Sequence, residues 1–259
     1  MNRLILDTET AGDVNDRQSL RVYDIAWQIA DKDFQPIVSR RFLVKEIFFD
    51  EADAMQSAYY ANKLPQYYAE IAAGNVQVVH LADIYKQLAA DCKNYKIKEL
   101  WAYNAAFDRD ALNVTCEAVS NGLRSWFIPF GVKVCCIQHL AAQTILNRPT
   151  YFKFAYNGGF YSKKTGNVRT SAEAAYAYLI GDADYKEEHT ALEDVKIERQ
   201  ILAACKKVKN GKKDKKPSRQ AWRVPQKKWK EWLDKRDIIV KKEPDLIDPV
   251  TGERYAILD

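Results

Sequence analysis

The chain has 259 residues, 47% of them apolar, and a net charge of +5. This composition suits one large domain, or one domain with an appendage, and excludes wholesale disorder. No apolar run approaches the roughly 20 residues that cross a bilayer, so no membrane partner is expected. The five cysteines are an odd number without C-x-x-C spacing, and the N-terminus lacks a signal-peptide pattern. Reduced thiols in a cytoplasmic protein are therefore expected, and a structural zinc site is not.

The positive charge is concentrated towards the C-terminus. Of the 40 Lys and Arg and the 35 Asp and Glu in the chain, residues 206–259 hold 17 and 9. A basic tail on a mildly acidic body is typical of a protein that binds a polyanion, and a solvated tail kept for solubility would look the same. The sequence thus predicts a main domain over 1–205 and a basic C-terminal extension over 206–259.

Hydrophobic patterning predicts an α/β domain with a mixed central sheet flanked by helices. The predicted strands form an antiparallel meander and then a buried strand, over 4–6, 22–30, 37–44 and 99–103. The first strand is expected to end at Asp7. The predicted helices cover 51–72, 81–94, 104–119, 171–180 and 191–205. A short strand and a helix are predicted within 132–146, and a Gly- and Pro-containing loop or hairpin within 147–170.

The extension combines a basic run with tryptophans. Residues 206–216 resemble a flexible linker. Trp222, Trp229 and Trp232 follow among Lys and Arg, with too many aromatics for simple disorder. They could stack on the bases of a nucleic acid, or pack on the protein itself, within a short helix.

Three acidic segments follow apolar elements in chain order. Asp7 and Glu9 are two residues apart at the end of the first strand, so both carboxylates face the same side. Asp108 lies about one turn into the helix that follows the strand at 99–103. His189 and Asp194 converge only if the histidine lies in a loop and the aspartate on the next helix. Four carboxylates can bind two hard divalent cations, and a histidine can act as a general base. Phosphodiester hydrolysis can use these groups together.

Each motif alone has an ordinary explanation. Acid pairs with this spacing are common on solvated surfaces, and Asn104 could simply cap a helix. Asp108 could stabilise a helix N-terminus, and a lone histidine is more often structural. Phe107, beside a buried strand, is more often a core residue than a stacking platform.

Taken in order, the motifs resemble those of the DEDD superfamily of 3′→5′ exonucleases, which includes proofreading exonuclease subunits, ribonuclease T and oligoribonuclease. Asp-x-Glu-Thr matches Asp7–Thr10, the second motif matches Asn104–Asp108, and His-x-x-x-x-Asp matches His189–Asp194. Thr190 stands where the tyrosine branch has its base, which indicates the histidine branch (DEDDh). The resemblance covers about residues 1–205; Ala11–Asp13 and Tyr103 depart from the usual pattern.

The resemblance implies a ribonuclease H-like fold and a metal-dependent 3′→5′ exonuclease. Asp7, Glu9, Asp108 and Asp194 would hold two cations, Mg²⁺ or Mn²⁺, with His189 as the general base that takes a proton from water. Thr10, Asn104 and Phe107 would contact the terminal nucleotide. DNA with single-stranded ends is favoured as the substrate.

The alternatives are an RNA-processing exoribonuclease and a proofreading subunit that works with a polymerase. A catalytically silent binding module would be expected to lack a carboxylate or the base, and none is missing. By analogy, a homodimer or a polymerase partner bound through the extension is also expected.

Overall fold

A six-stranded mixed sheet organises the N-terminal part of the chain. The computed structural model describes residues 1–13, 16–56, 58, 61–208, 221, 223–236, 238–240, 246–247 and 254–255. The strands are β1 (Arg3–Ala11), β2 (Arg21–Ala30), β3 (Pro36–Val44), β4 (Gln77–Val79), β5 (Glu99–Ala102) and β6 (Lys133–Cys136). Their order is β4-β3-β2-β1-β5-β6. The predicted meander is confirmed, because β1, β2 and β3 pair antiparallel, whereas β4, β5 and β6 join in parallel.

Ten α-helices occur in the described ranges, together with short 3-10 turns at Arg17–Ser19 and Ala61–Lys63. The α-helices are α1 (Lys45–Phe48), α2 (Ala52–Gln56), α3 (Leu64–Ala72), α4 (Leu81–Asn94), α5 (Ala105–Val119), α6 (Ile137–Gln143), α7 (Pro149–Asn157), α8 (Ala172–Ile180), α9 (Ala191–Lys207) and α10 (Arg223–Asp234). A two-residue strand pair, β7 (Leu246–Ile247) and β8 (Arg254–Tyr255), forms a separate small sheet. Among the described residues no helix is long and apolar enough to cross a membrane.

The chain divides into two compact units. The first comprises Met1–Ile137 and Glu187–Ala203, and the second comprises Gln138–Lys186 and Ala204–Asp259. The first unit contains the large sheet, and its core includes the fully buried Leu4 and Leu6 of β1. Leu81, Ile84 and Leu88 of α4 lie in the same core, at the i, i+3 and i+7 positions of one helix face.

Three predicted elements differ from the structure. β1 continues to Ala11 and does not end at Asp7, because its antiparallel pairing with β2 extends as far as Arg21. The helix predicted over 51–72 is divided into α2 and α3. Pro65 lies in the first turn of α3, where its missing N–H leaves no intrahelical hydrogen bond unmade, so a new helix starts there.

The third difference is α7, which occupies part of the region predicted as a loop or hairpin. Pro149 lies at the start of this helix and Gly158 caps its end. These two residues therefore mark the ends of a helix and not of a loop. Tyr151, Phe152 and Ala155 are buried on one side of it. After α7 a single antiparallel bridge joins Tyr161 to Val168.

The second unit has an aromatic core to which the extension contributes. Trp229 of α10 is fully buried, and its Nε1–H donates a hydrogen bond of 2.9 Å to the carbonyl of Gly166. Its ring is stacked on that of Trp232 with the centroids 5.5 Å apart, and Phe152 packs edge-on against it at 5.8 Å. These two tryptophans therefore pack on the protein itself, the second of the two expectations. Trp222 and positions 209–216 of the predicted linker lie outside the described residues.

Candidate active site

β1 presents two carboxylates at the edge of the first unit's core. It lies between β2 and β5, and Leu4 and Ile5 in its first half are fully buried. β5 pairs with β1 only at these two residues, so β1 runs on past β5 from Asp7 onwards. Side chains two positions apart on a strand point to the same face, which places Asp7 and Glu9 side by side.

The loop before α9 and the first turn of that helix place the third motif. His189 has a left-handed backbone conformation, with φ of 52°. This turns the chain into α9, in whose first turn Asp194 donates its backbone N–H to the carbonyl of Thr190 at 3.0 Å. The histidine is thus on a loop and the aspartate on a helix, the arrangement that convergence of the two side chains requires.

Asp7, Glu9 and Asp194 form one cluster of ligand atoms. Each offers a carboxylate oxygen, and these three oxygens lie within 4.8 Å of one another. One oxygen of Asp194, Oδ1, is buried and has no hydrogen-bond partner among the residues that the structure describes. Oxygens at such separations around an unsatisfied buried acceptor fit a hard divalent cation, which prefers carboxylate ligands.

Asp108 approaches from α5. The turn at Asn104, with φ of 58°, leads the chain from β5 into this helix, and Asp108 follows one turn later. The side chain of Asp108 is buried, and its Oδ1 accepts a hydrogen bond of 3.0 Å from the hydroxyl of Thr8. Asp108 is not part of the three-residue oxygen cluster, but its charge acts on Asp7.

Burial and mutual repulsion raise the pKa values of these carboxyl groups. Burial raises the pKa of Glu9 to about 9, helped by the charge of Asp194 and by a hydrogen bond that protonated Glu9 donates to it. Burial raises the pKa of Asp108 and of Asp194 to about 7. Burial and four neighbouring carboxylates raise the pKa of Asp7 well above its ordinary value. Bound cations would offset the repulsion that protons otherwise relieve.

The structure also adds residues to the site that the motifs did not indicate. Glu198, on α9, is buried, and its charge is the strongest of those acting on Asp7. It lies four residues after Asp194, on the same helix face, and that spacing could have identified it.

Lys63 is a second residue that the motifs did not indicate, and it lies in the segment between the first two motifs. Its Nζ donates a hydrogen bond of 3.2 Å to the carbonyl of His189. Its positive charge lowers the pKa of Glu9 and of Asp194. Nothing in the sequence pattern pointed to Lys63.

The residues expected to contact a nucleotide have different surroundings. Thr10 is half-buried and follows an irregularity in the pairing of β1 with β2. Asn104 is exposed at the N-cap position of α5, without a capping hydrogen bond from its side chain. Phe107 is half-buried and packs against the core of the first unit, which favours the core role for this ring. Contacts of these three with a nucleotide stay predictions.

The chain is similar in structure to exonuclease I. The apo form of exonuclease I is 16% identical to this chain, with a TM-score of 0.50, and the match covers 80% of this chain and 42% of that one. The chain has the fold of exonuclease I. The predicted ribonuclease H-like exonuclease fold is thereby confirmed.

Two further exonuclease I structures match over similar lengths. E. coli exonuclease I in complex with a dA16 oligonucleotide is 15% identical, with a TM-score of 0.49 over 80% of this chain and 41% of that one. A moderately thermophilic exonuclease I from Methylocaldum szegediense is 19% identical, with a TM-score of 0.49 over 82% and 41%. The chain thus spans about two fifths of the length of these exonuclease I chains. No protein-family model and no curated protein sequence matches the chain.

Proposed function

We propose that this protein is a divalent-cation-dependent 3′→5′ exonuclease that acts on single-stranded ends of DNA. The observation that carries the proposal is the oxygen cluster of Asp7, Glu9 and Asp194, within 4.8 Å, on the fold of exonuclease I. A fold alone does not imply an activity, so the site has to supply the argument. Buried carboxylates that repel one another are costly to a fold, and they are typical of sites that bind a cation.

Asp7, Glu9, Asp108 and Asp194 would hold two cations, Mg²⁺ or Mn²⁺. Oxygen-only ligands suit these hard ions. Bound cations would supply positive charge to the scissile phosphate and to the departing 3′ oxygen. The protein residues hold the carboxylates in place before substrate arrives: β1 orients Asp7 and Glu9, Thr8 orients Asp108, and the first turn of α9 orients Asp194.

His189 would be the general base that accepts a proton from the attacking water. About a third of its side chain is exposed, so water can reach the ring. Its Nδ1 lies 3.9 Å from Oε2 of Glu187, a carboxylate that would stabilise the protonated ring after transfer. The hydrogen bond from Lys63 to the carbonyl of His189 holds the loop that carries this ring.

The test uses 5′-labelled oligonucleotides of equal length: single-stranded DNA, duplex DNA and single-stranded RNA. Each is incubated with the protein and Mg²⁺ or Mn²⁺. We expect a ladder that shortens from the 3′ end, fastest on single-stranded DNA and abolished by a chelator. Asp7→Ala should give no ladder, while Asp33→Ala, which removes an exposed carboxylate, should match the wild type.

Faster cleavage of RNA than of DNA would support the proposed reaction but would show that RNA is the preferred substrate. Full activity of Asp7→Ala, or cleavage that persists in chelator, would refute the proposal. Cleavage from internal positions would show an endonuclease instead.

A further inference from the structure

Glu198 links two of the elements that build the site. One of its carboxylate oxygens, Oε1, accepts a hydrogen bond of 3.0 Å from the backbone N–H of Tyr103. Tyr103 directly follows β5 and precedes the turn into α5, the helix that carries Asp108. Glu198 itself lies on α9, the helix that carries Asp194. The side chain thus joins the elements of the second and third motifs.

The other oxygen of Glu198 has no such partner. Oε2 is buried, and none of the described residues forms a hydrogen bond with it. Only 2% of the residue is exposed. A buried carboxylate oxygen that lacks a donor is costly to a fold, so such an atom in a native protein calls for a ligand or a proton.

The surroundings of Glu198 are negative. The charges that act most strongly on it are those of Asp108, Asp194 and Glu187. Glu198 in turn is the strongest of the charges that act on Asp7. Asp7 therefore has carboxylate neighbours in two groups. Glu9 and Asp194 belong to the oxygen cluster, whereas Asp108 and Glu198 lie outside it and act on Asp7 through their charges.

We propose that Glu198, which lies one helical turn after Asp194 on α9, is a fifth carboxylate of the cation site, with its buried Oε2 as the ligand atom. This inference rests on the proposed cation-dependent chemistry. Asp7 connects the two sets of carboxylates: its oxygen lies in the cluster with Glu9 and Asp194, and the charges of Asp108 and Glu198 also act on it. Glu198 would also hold the end of β5 at a constant distance from α9 through its bond to Tyr103.

The test measures cation binding directly. Glu198→Gln keeps an oxygen that can accept from the Tyr103 N–H but removes the negative charge. Binding of Mn²⁺ to the full chain is followed by titration calorimetry and by electron paramagnetic resonance, without substrate. We expect two Mn²⁺ ions in the wild type, and a loss of affinity of about 10- to 100-fold at one of them in the variant.

A second readout is the melting temperature of the protein in chelator and in Mn²⁺. In chelator, Glu198→Gln should melt close to the wild type, because glutamine has nearly the same shape and keeps an acceptor for the Tyr103 N–H. Mn²⁺ should raise the melting temperature of the variant by less than that of the wild type, because a cation that binds the folded state more weakly stabilises it less. The matched control is Glu117→Gln, on the exposed side of α5, which should change neither quantity. Weaker stabilisation by Mn²⁺ with an unchanged melting temperature in chelator distinguishes a cation ligand from a residue that only supports the fold.

Two results would overturn the inference. Wild-type Mn²⁺ affinity at both positions in Glu198→Gln would show that the carboxylate does not serve the cation, and retained cleavage by the wild type would then leave the proposed function intact. Absence of Mn²⁺ binding to the wild type would refute the inference and the proposed function together.

Discussion

The hydroxyl of Thr8 donates a hydrogen bond of 3.0 Å to the carboxylate of Asp108, a residue one hundred positions later in the chain. The bond joins β1 to the first turn of α5, so it connects the first and second motifs. It is buried, and it lowers the pKa of Asp108 against the raising effect of burial. Thr8 therefore helps to keep Asp108 ionised and fixed in orientation.

Thr8→Val should remove this hydrogen bond with little change in side-chain volume. We expect kcat/KM for single-stranded DNA to fall about 10- to 100-fold, because the orientation of Asp108 is no longer fixed. The free energy of unfolding should fall by about 1–3 kcal/mol, since a buried acceptor is left without its donor. Thr8→Ser keeps the hydroxyl and should retain most of the activity. Equal losses in both variants would mean that packing, and not the hydrogen bond, is what matters.

His189→Ala should affect the rate far more than the binding of cations. Loss of a general base typically costs about 10²- to 10⁴-fold in rate. Single-turnover cleavage and Mn²⁺ titration of the same variant measure the two quantities separately. His80→Ala removes a more exposed histidine, paired with Glu46, and serves as the control. A comparable loss of Mn²⁺ affinity in His189→Ala would make the ring a ligand and not a base.

The cation-free protein should become less stable as the pH rises. The pKa of Glu9 is raised to about 9 and those of Asp108 and Asp194 to about 7, whereas in the unfolded chain these groups titrate near their ordinary values of about 4. Below about pH 4 these groups are protonated in both the folded and the unfolded state, so their titration does not lower the free energy of unfolding. At higher pH the unfolded chain releases protons that the folded site retains, so stability falls until the raised pKa values are passed.

Calorimetric melting in chelator should therefore show a midpoint that falls between about pH 5 and about pH 9. Saturating Mg²⁺ should counteract this fall, because the cations offset the repulsion. Asp194→Asn should flatten the profile. A midpoint that rises over the same interval in chelator would contradict the assigned direction of these pKa values.

Arg41 neutralises the fully buried Asp24 beside the site. Its Nη2 donates to Oδ2 of Asp24 at 2.9 Å, and the hydroxyl of Tyr67 donates to the same oxygen at 3.0 Å. Arg41→Met should lower the free energy of unfolding by about 3–5 kcal/mol, because a buried charge is left without its partner. Urea unfolding measures the loss. Lys32→Met, which removes an exposed ion pair with Asp33, is the control and should have a small effect.

The double variant Arg41→Met/Asp24→Leu tests whether the unpaired charge of Asp24 causes the loss of stability. Removing both charges should recover much of the lost stability, since no unpaired carboxylate remains. A double variant as unstable as Arg41→Met would show that the volume and shape of these side chains matter more than their charges.

Trp229→Ala should destabilise the second unit. The ring is fully buried and its N–H is bonded to Gly166, so truncation should cost about 3–5 kcal/mol. Near-ultraviolet circular dichroism during urea unfolding measures the change. Trp126→Ala, which removes a ring that is 53% exposed, is the control. Unchanged stability together with weaker, less salt-dependent DNA binding would instead assign Trp229 to contact with nucleic acid.

The sequence by itself determined the mixed α/β architecture and the motif residues. Apolar runs and periodicity depend on local patterns, so they predicted β2, β3 and α4 closely. The motifs in order predicted Asp7, Glu9 and Asp194, and the structure brings these three together. It also puts His189 in a loop, with φ of 52°, as their convergence required.

Only the tertiary structure decided which distant residues complete the site. Lys63 reaches His189 from 126 residues away, and Glu198 reaches the N–H of Tyr103 from 95 residues away. Tertiary packing also determined that Trp229 is buried, although its sequence neighbours are basic. Such contacts depend on where the sheet and helices place side chains in space, and no local pattern of hydrophobicity or spacing carries that information.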